Sequence, residues 1–273
     1  MKKYGLCGHP VMHSLSPKLF EAAYPLNVFC YELITIEDPA KVAPLFFERG
    51  YSGLNITAPL KTSVLPFVHR LTPECASIGA SNLILKLDDL LIAYNTDYIG
   101  VANSLKEAKV SIKNSVCLLL GAGGAAKAAA YTLLQEGATL LWANRTFATI
   151  PHSFYGTSIH SIHLHEAVHH LHTCNIVVNT LPKSVPDTEC FNFQIHQTVC
   201  DASYLTRPLE RQAVQAGAKY INGKRWLLHQ AAPSFAAMTG AAPNIHLMES
   251  CSSNEGACIQ INPYLSRKFS NRL

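Results

Sequence analysis

Short apolar runs alternate along the chain with longer stretches whose apolar residues recur at helical spacing. The runs are Tyr4–Cys7, Phe29–Leu33, Gly53–Ile56, Val116–Leu120, Thr139–Ala143, Ile176–Asn179 and Val199–Ala202, each suited in length and composition to a buried strand. Helical stretches separate them, so the rhythm predicts parallel sheets covered by helices, an α/β fold. Asn82–Lys86 and Leu90–Asn95 break that rhythm, because only a short turn around Asp88-Asp89 joins them; a hairpin closing the first unit is expected. The segment from Thr96 to Ser115 carries Val101, Leu105 and Ala108 at helical spacing and ends in the polar turn Lys113-Asn114, where a domain boundary is expected. From Gln230 onward the pattern is helical again, with Ala231, Ala232, Phe235 and Met238 and no further strand, and it is expected to pack back on the first unit. The expected division is therefore 1–97 plus 226–273 around an inserted segment, 98–225.

The strongest local motif follows the run ending at Leu120. Gly121-Ala122-Gly123-Gly124-Ala125-Ala126 leads into a helical stretch, Lys127–Gln135, which is G-x-G-x-x-A in the strand–turn–helix setting that gives it meaning. The first glycine allows the tight turn, the second lets backbone approach a pyrophosphate, and the small third residue lets helix and strand pack closely. The helix N-terminus then faces the phosphates. A site for NAD normally carries an acidic residue about twenty residues on, at the end of the next strand. Here that strand ends in Asn144-Arg145-Thr146. A guanidinium matches the charge and acceptor oxygens of a 2′-phosphate, so NADP is favoured over NAD.

Two further helix starts are candidates for anion and proton chemistry. In His13-Ser14-Leu15-Ser16-Pro17, proline suits the first helical position and Ser16 the N-cap, so two hydroxyls flank a helix N-terminus that can receive a carboxylate. The strand Gly53–Ile56 turns through Thr57-Ala58-Pro59-Leu60-Lys61, which places Lys61 in a first helical turn. A cation there opposes the helix dipole, so a functional role in acid–base chemistry explains it better than a structural one. Asp97 follows the hairpin's second strand, where it is either a partner for Lys61 or a cap for the next helix.

Composition narrows the classes. With 273 residues and 48% hydrophobic content the chain can bury a large core, and two modest domains fit its length. The net charge of +4 is spread without a basic block, which argues against nucleic acid as a partner. No run approaches the roughly eighteen apolar residues of a membrane span, and Gly5, Gly8, His9 and Pro10 interrupt the apolar stretch behind Met1-Lys2-Lys3. A cytoplasmic protein is expected. Its nine scattered cysteines form no Cys-x-x-Cys pair and read as reduced thiols, several of them (Cys7, Cys30, Cys117, Cys200) in strands.

Taken in order, His13–Pro17, Asn55–Lys61, Ile78–Asn82, Asn95–Asp97, Gly121–Ala126, Asn144–Thr146 and Gln230–Ala232 resemble the NADP-dependent shikimate/quinate dehydrogenase family, over about residues 4 to 240. The resemblance implies an N-terminal substrate domain with a mainly parallel sheet, completed by the C-terminal helices, a Rossmann-type NADP domain, and an active site in the cleft between them. It implies Lys61 and Asp97 as the catalytic pair, with Ser14, Ser16, Asn55, Thr57, Asn82, Tyr204 and Gln230 also on the substrate. It further implies the glycine turn, Asn144, Arg145, Thr146, Asn179, Thr180 and Gly223 on the cofactor. The implied reaction is reversible NADPH-dependent reduction of 3-dehydroshikimate to shikimate in aromatic amino-acid biosynthesis, by a monomer or homodimer, with quinate as the alternative substrate. Three positions depart from the pattern: Tyr98 where glycine is usual, Leu83 where threonine is common, and Trp226 where a methionine usually lines the nicotinamide pocket.

One competing motif stands outside this scheme. His165-Glu166-Ala167-Val168-His169 matches H-E-x-x-H, in which two imidazoles on one helix face bind zinc and the glutamate activates water, so a zinc metalloprotease acting through His165, Glu166 and His169 is the remote alternative. It lies in a histidine-rich stretch with His160, His163, His170 and His172, where a chance match is easy, and no metal is expected.

Overall fold

The computed structural model describes residues 2–23, 29–183 and 185–253, so the end of the expected 226–273 segment lies outside the described residues. Two six-stranded sheets organise the chain. The first comprises β1 (Lys2–Gly8), β2 (Phe29–Thr35), β3 (Tyr51–Ile56), β4 (Arg70–Leu71), β5 (Leu83–Leu87) and β6 (Leu90–Tyr94), in the order β2-β1-β3-β5-β6-β4. Its pairings β1 with β2, β1 with β3 and β4 with β6 are parallel, whereas β5 runs antiparallel to both neighbours as the expected hairpin requires.

The second sheet comprises β7 (Val116–Leu120), β8 (Thr139–Asn144), β11 (His160–His163), β12 (Ile176–Asn179), β13 (Thr198–Asp201) and β14 (Lys219–Ile221), with a separate small ribbon of β9 (Ser153–Phe154) and β10 (Thr157–Ser158). Its order, β11-β8-β7-β12-β13-β14, is parallel throughout. This is the doubly wound arrangement 3-2-1-4-5-6, in which the strand order reverses beside the first strand and leaves a crevice at the strands' carboxyl ends. β4, β9, β10 and β14 escaped the sequence reading because two or three residues are too few to show a period, and the four-residue β11 because three of its positions, His160, Ser161 and His163, are polar.

The helices are α1 (Ser16–Ala23), α2 (Val42–Phe47), α3 (Leu60–Ser63), α4 (Pro73–Ile78), α5 (Asp97–Glu107), α6 (Gly124–Gln135), α7 (Ala167–His170), α8 (Pro186–Glu189), α9 (Glu210–Gln215), α10 (Gly223–Thr239) and α11 (Ile245–Ser253). α5 and α10 carry the chain out of and back into the first unit and pack on each other. The C-terminal helices do return to the first sheet: Leu228, Ala231, Phe235, Met238 and Met248 are buried with Tyr4, Leu19, Phe20, Leu83 and Leu85. Burial of each large apolar side chain there contributes about 1.5–3 kcal/mol, and the Tyr4 hydroxyl donates to the Met238 carbonyl at 2.5 Å. Helix α10 begins before Gln230 because Asn222 caps it, its side-chain oxygen accepting from the Lys224 N–H. Cys7, Cys117 and Cys200 are buried in strands, where desolvation pushes each thiol up to about 12; Cys30 is half-buried.

Candidate active site

A cavity opens between the two sheets, and every substrate-side residue expected from sequence lines it: Ser14, Ser16, Asn55, Thr57, Lys61, Asn82, Asp97, Tyr204 and Gln230. Lys61 donates to Asp97 at 2.5 Å, and the two side chains are 17% and 6% exposed. Local chain geometry frees both groups for this contact. Asn95 takes the capping role at α5, its side-chain oxygen accepting from the N–H of Asp97 at 2.9 Å and of Tyr98 at 3.4 Å, so the Asp97 carboxylate is not spent as a cap. Helix α3 is a single turn with Lys61 second in it. A dipole argument fails on so short a helix, and the partner that accounts for a lysine here is Asp97.

A hydrogen-bond network extends from this pair. Asn82 donates to Asp97 (3.2 Å), Thr96 (2.8 Å) and Gln230 (2.9 Å), and accepts from the Thr96 N–H at 2.6 Å. Thr96 in turn donates to the Gln230 carbonyl and meets the Ser234 hydroxyl at 2.9 Å. Thr96 and Ser234 were missed by the sequence reading, although Gln230 and Ser234 stand four apart on one helical face. Tyr31 was missed as well: it donates to Asn55 at 2.8 Å, stacks on Phe20, and burial raises its phenol far enough to keep it a neutral donor. At the other end of the cavity α1 starts at Ser16, one residue earlier than expected. Ser14 rather than Ser16 therefore caps it, accepting the Ser16 N–H at 3.1 Å, and the two hydroxyls lie 3.1 Å apart.

The nucleotide-side residues divide into those that face the cleft and those that shape it. Gly121 needs its left-handed φ of +99°, and its carbonyl is held by the indole N–H of the fully buried Trp142. Beyond it the N-terminus of α6 has no side-chain cap, and a side chain built on Gly123 would meet nothing within 4 Å. Uncapped N–H groups over open space fit a pyrophosphate, and Ala125 from the same turn lines the cavity that holds Lys61. Arg145 and Thr146 are exposed at the end of β8, while Asn144 folds their loop by donating to the Thr146 carbonyl and to Thr149. Asn179 is buried and engaged with Asp201 and the Leu181 N–H, Thr180 donates to the Leu120 carbonyl, and Gly223 packs against the backbone of Ala202 to Tyr204. None of these three lines the cavity. Tyr204 closes across to the other unit, accepting from the Leu15 N–H at 3.4 Å.

The departures are absorbed by packing. Trp226 lines the cavity but is only 4% exposed, and its indole N–H donates to the Asp97 carbonyl at 3.1 Å. Tyr98 packs edge-on against Tyr131 of α6, and Leu83 is buried in the first core. The histidine stretch is helical from Leu164 to Thr173, tightly wound at both ends, with His165 in its first turn, Leu164–Glu166, and His169 in α7. Glu166 is committed to the turn, accepting from the His163 N–H at 2.7 Å, and His165 stacks on His163. Among the described residues no cluster suited to a metal ion occurs. Prolonged chelation is accordingly expected to leave catalytic rate unchanged; loss of activity restored by zinc would contradict it.

A doubly wound crevice with a bare glycine turn, facing a lysine–carboxylate pair on a second α/β unit, defines the class of two-unit dinucleotide-dependent oxidoreductases. A family profile described as "Shikimate dehydrogenase substrate binding domain" matches residues 6–84. The chain is 36% identical over 272 residues to a protein of Methanocella arvoryzae named "Shikimate dehydrogenase (NADP(+))", covering 91% of this chain and 97% of that one. It is 32% identical over 259 residues to a protein of the same name from Staphylococcus epidermidis, covering 90% and 96%. The crystal structure of shikimate 5-dehydrogenase from Thermus thermophilus with NADP(H) and shikimate superimposes with a TM-score of 0.79 at 29% identity, covering 93% of this chain and 99% of that one. The chain belongs to the shikimate dehydrogenase family.

Proposed function

We propose that this protein is an NADP-dependent shikimate dehydrogenase, reducing 3-dehydroshikimate reversibly to shikimate in the route to aromatic amino acids. The observation that carries the reading is the Lys61–Asp97 pair lining a cavity that Ala125 of the glycine turn lines as well. Its supports are the named relatives above and the match of the cavity's polar groups to a small hydroxylated carboxylate. Ser14 and Ser16, with the N-terminus of α1, receive the carboxylate. Asn55, Thr57, Asn82, Tyr204 and Gln230 hold hydroxyls and orient the ring. Lys61 donates a proton to the carbonyl oxygen being reduced, while Asp97 orients the ammonium and accepts from the neighbouring hydroxyl. NADPH, when bound, supplies the hydride to the ketone carbon. Gly121, Gly123, Ala125 and Ala126 would hold its pyrophosphate, and Arg145 and Thr146 its 2′-phosphate.

The partner is thus a small molecule. No helix among the described residues is long and apolar enough to cross a membrane, and a cytoplasmic monomer or homodimer fits the biosynthetic role. The test is the near-ultraviolet absorbance of reduced nicotinamide, followed with shikimate and with quinate, each with NADP and with NAD. Shikimate with NADP is expected to give the highest kcat/KM; a higher value with quinate turns the reading to that substrate, and no turnover with either sinks it.

The cofactor preference rests on Arg145. Replacing Arg145 with alanine removes a charge-assisted contact worth about 1.5–3 kcal/mol, so KM for NADP is expected to rise about ten- to a hundredfold. KM for NAD, which lacks the phosphate, is expected to move little. Equal changes with both cofactors would show that Arg145 supports the fold of the loop rather than the phosphate.

A further inference from the structure

Gly124 occupies a variable position of the glycine motif, and its surroundings differ from those of Gly123. A Cβ built on Gly124 would lie 2.7 Å from the Cβ of Lys61, 3.0 Å from its Cδ and 3.4 Å from the Cβ of Ala80. Carbon atoms at rest lie about 3.5–4.0 Å apart, so the first two contacts cannot be kept. Relief by rotating a side chain is not open, because the clash is with Lys61 Cβ, which moves only with its backbone. That backbone is fixed: the Lys61 carbonyl accepts from the Ser81 N–H at 2.7 Å, and the preceding Leu60 is completely buried. Neither Gly123 nor Gly124 has a positive φ, so alanine at either site meets no backbone strain. What differs is the neighbour: open space on the cofactor side for Gly123, the stem of the lysine for Gly124.

We propose that Gly124 is a positioning residue for the proton donor: its bare Cα lets the nucleotide-binding turn seat directly on the aliphatic stem of Lys61 and so hold the ammonium against Asp97. The motif then has two functions in adjacent residues. Gly123 leaves room for the pyrophosphate, and Gly124 sets the distance between the cofactor turn and the acid–base pair. Contact through the stem means that the register between the two units is set at the reacting centre itself. Beside it, Lys127 on the same helix reaches the Gly79 carbonyl at 3.5 Å, a second tie between α6 and the segment carrying Ala80 and Ser81. The inference rests on the reading of Lys61 as the proton donor.

The experiment compares Gly124→Ala, Gly123→Ala, Lys61→Ala and the double variant Lys61→Ala/Gly124→Ala, measuring kcat, KM for shikimate and NADP binding by fluorescence titration. Gly124→Ala is expected to lower kcat about ten- to a hundredfold, the scale of a misplacement near 1 Å, with NADP affinity retained. Gly123→Ala is expected to show the reverse, a loss of NADP affinity. In the Lys61→Ala background the Gly124 substitution is expected to add almost nothing, since residues acting through one another are not additive. Wild-type kcat in Gly124→Ala, a loss confined to NADP affinity, or a full additional loss in the double variant each overturns the proposal. A Lys61→Ala enzyme with undiminished turnover instead removes the reading beneath it. Should Gly124→Ala fail to fold, Lys61→Gly/Gly124→Ala, which deletes the opposing carbons, is expected to recover folding and NADP binding; failure to recover them overturns the contact as the cause.

Discussion

Lys61→Ala is expected to lower kcat by about two to four powers of ten, the contribution of a positioned general acid, while shikimate and NADP still bind. The reasoning is geometric. Lys61 is the cationic side chain that lines the cavity, and its stem lies against the glycine turn that would hold the cofactor. Groups proposed to hold the substrate's carboxylate and hydroxyls remain in place without it, because they are held through other partners: Asn82 and Gln230 with each other and Thr96, Ser14 with Ser16, Asn55 with Tyr31 and the Asn82 carbonyl, and Tyr204 with the Leu15 N–H. Binding and chemistry should therefore separate, with KM for shikimate changing far less than kcat. The check is steady-state kinetics alongside direct binding of both ligands. Near-normal turnover with intact binding would remove Lys61 from the mechanism.

Asp97→Asn is expected to lower kcat by about a hundredfold and to destabilise the fold as well. One carboxylate oxygen accepts from Lys61 and the other from the Asn82 amide. An amide of the same shape offers one acceptor in place of two, so its own N–H₂ must point at either the Lys61 ammonium or the Asn82 amide. A buried donor left without an acceptor costs about 1–3 kcal/mol. With a chain of this length, that corresponds to a fall in Tm of roughly 2–4 °C for each kcal/mol. Calorimetry and kcat measured on the same preparation test both halves. Unchanged rate with lowered stability would make Asp97 a structural residue only.

Much of the framework was legible because it is local. The alternation of apolar runs and helical stretches predicted the major strands, since side-chain direction repeats every two residues in a strand and about every 3.6 in a helix. The glycine turn could be read from a strand, a turn and a helix adjacent in sequence. The strands β4, β9, β10 and β14 were not legible, because two or three residues complete too few periods, and β11 because it lacks the apolar run that marks the equally short β12: as polar as His160-Ser161-Ile162-His163, it exists by pairing with β8. The histidine stretch is helical as its spacing suggested, but the commitment of Glu166 to its first turn, accepting from the His163 N–H, shows only in the folded chain.

The site shows the same division. Residue types and motif order pointed to Lys61, Asp97 and the hydroxyl-bearing segments, but the reason given for Lys61, a helix dipole, did not survive a helix of one turn. That Asn95 caps α5 and releases Asp97, that Ser14 caps α1, and that Trp226 turns its indole to the Asp97 carbonyl all depend on competition among nearby donors and acceptors. The α/β rhythm, the glycine turn and the inventory of chemical groups can all be read along the chain. Which of those groups meet emerges on folding: Lys61 with Asp97 across 36 positions, Asn82 with Gln230 across 148, and Gly124 with Lys61 between the two sheets. Local patterns fix backbone conformation within a few residues, whereas contact between distant groups follows from how buried faces pack, and no periodicity along the chain encodes that distance.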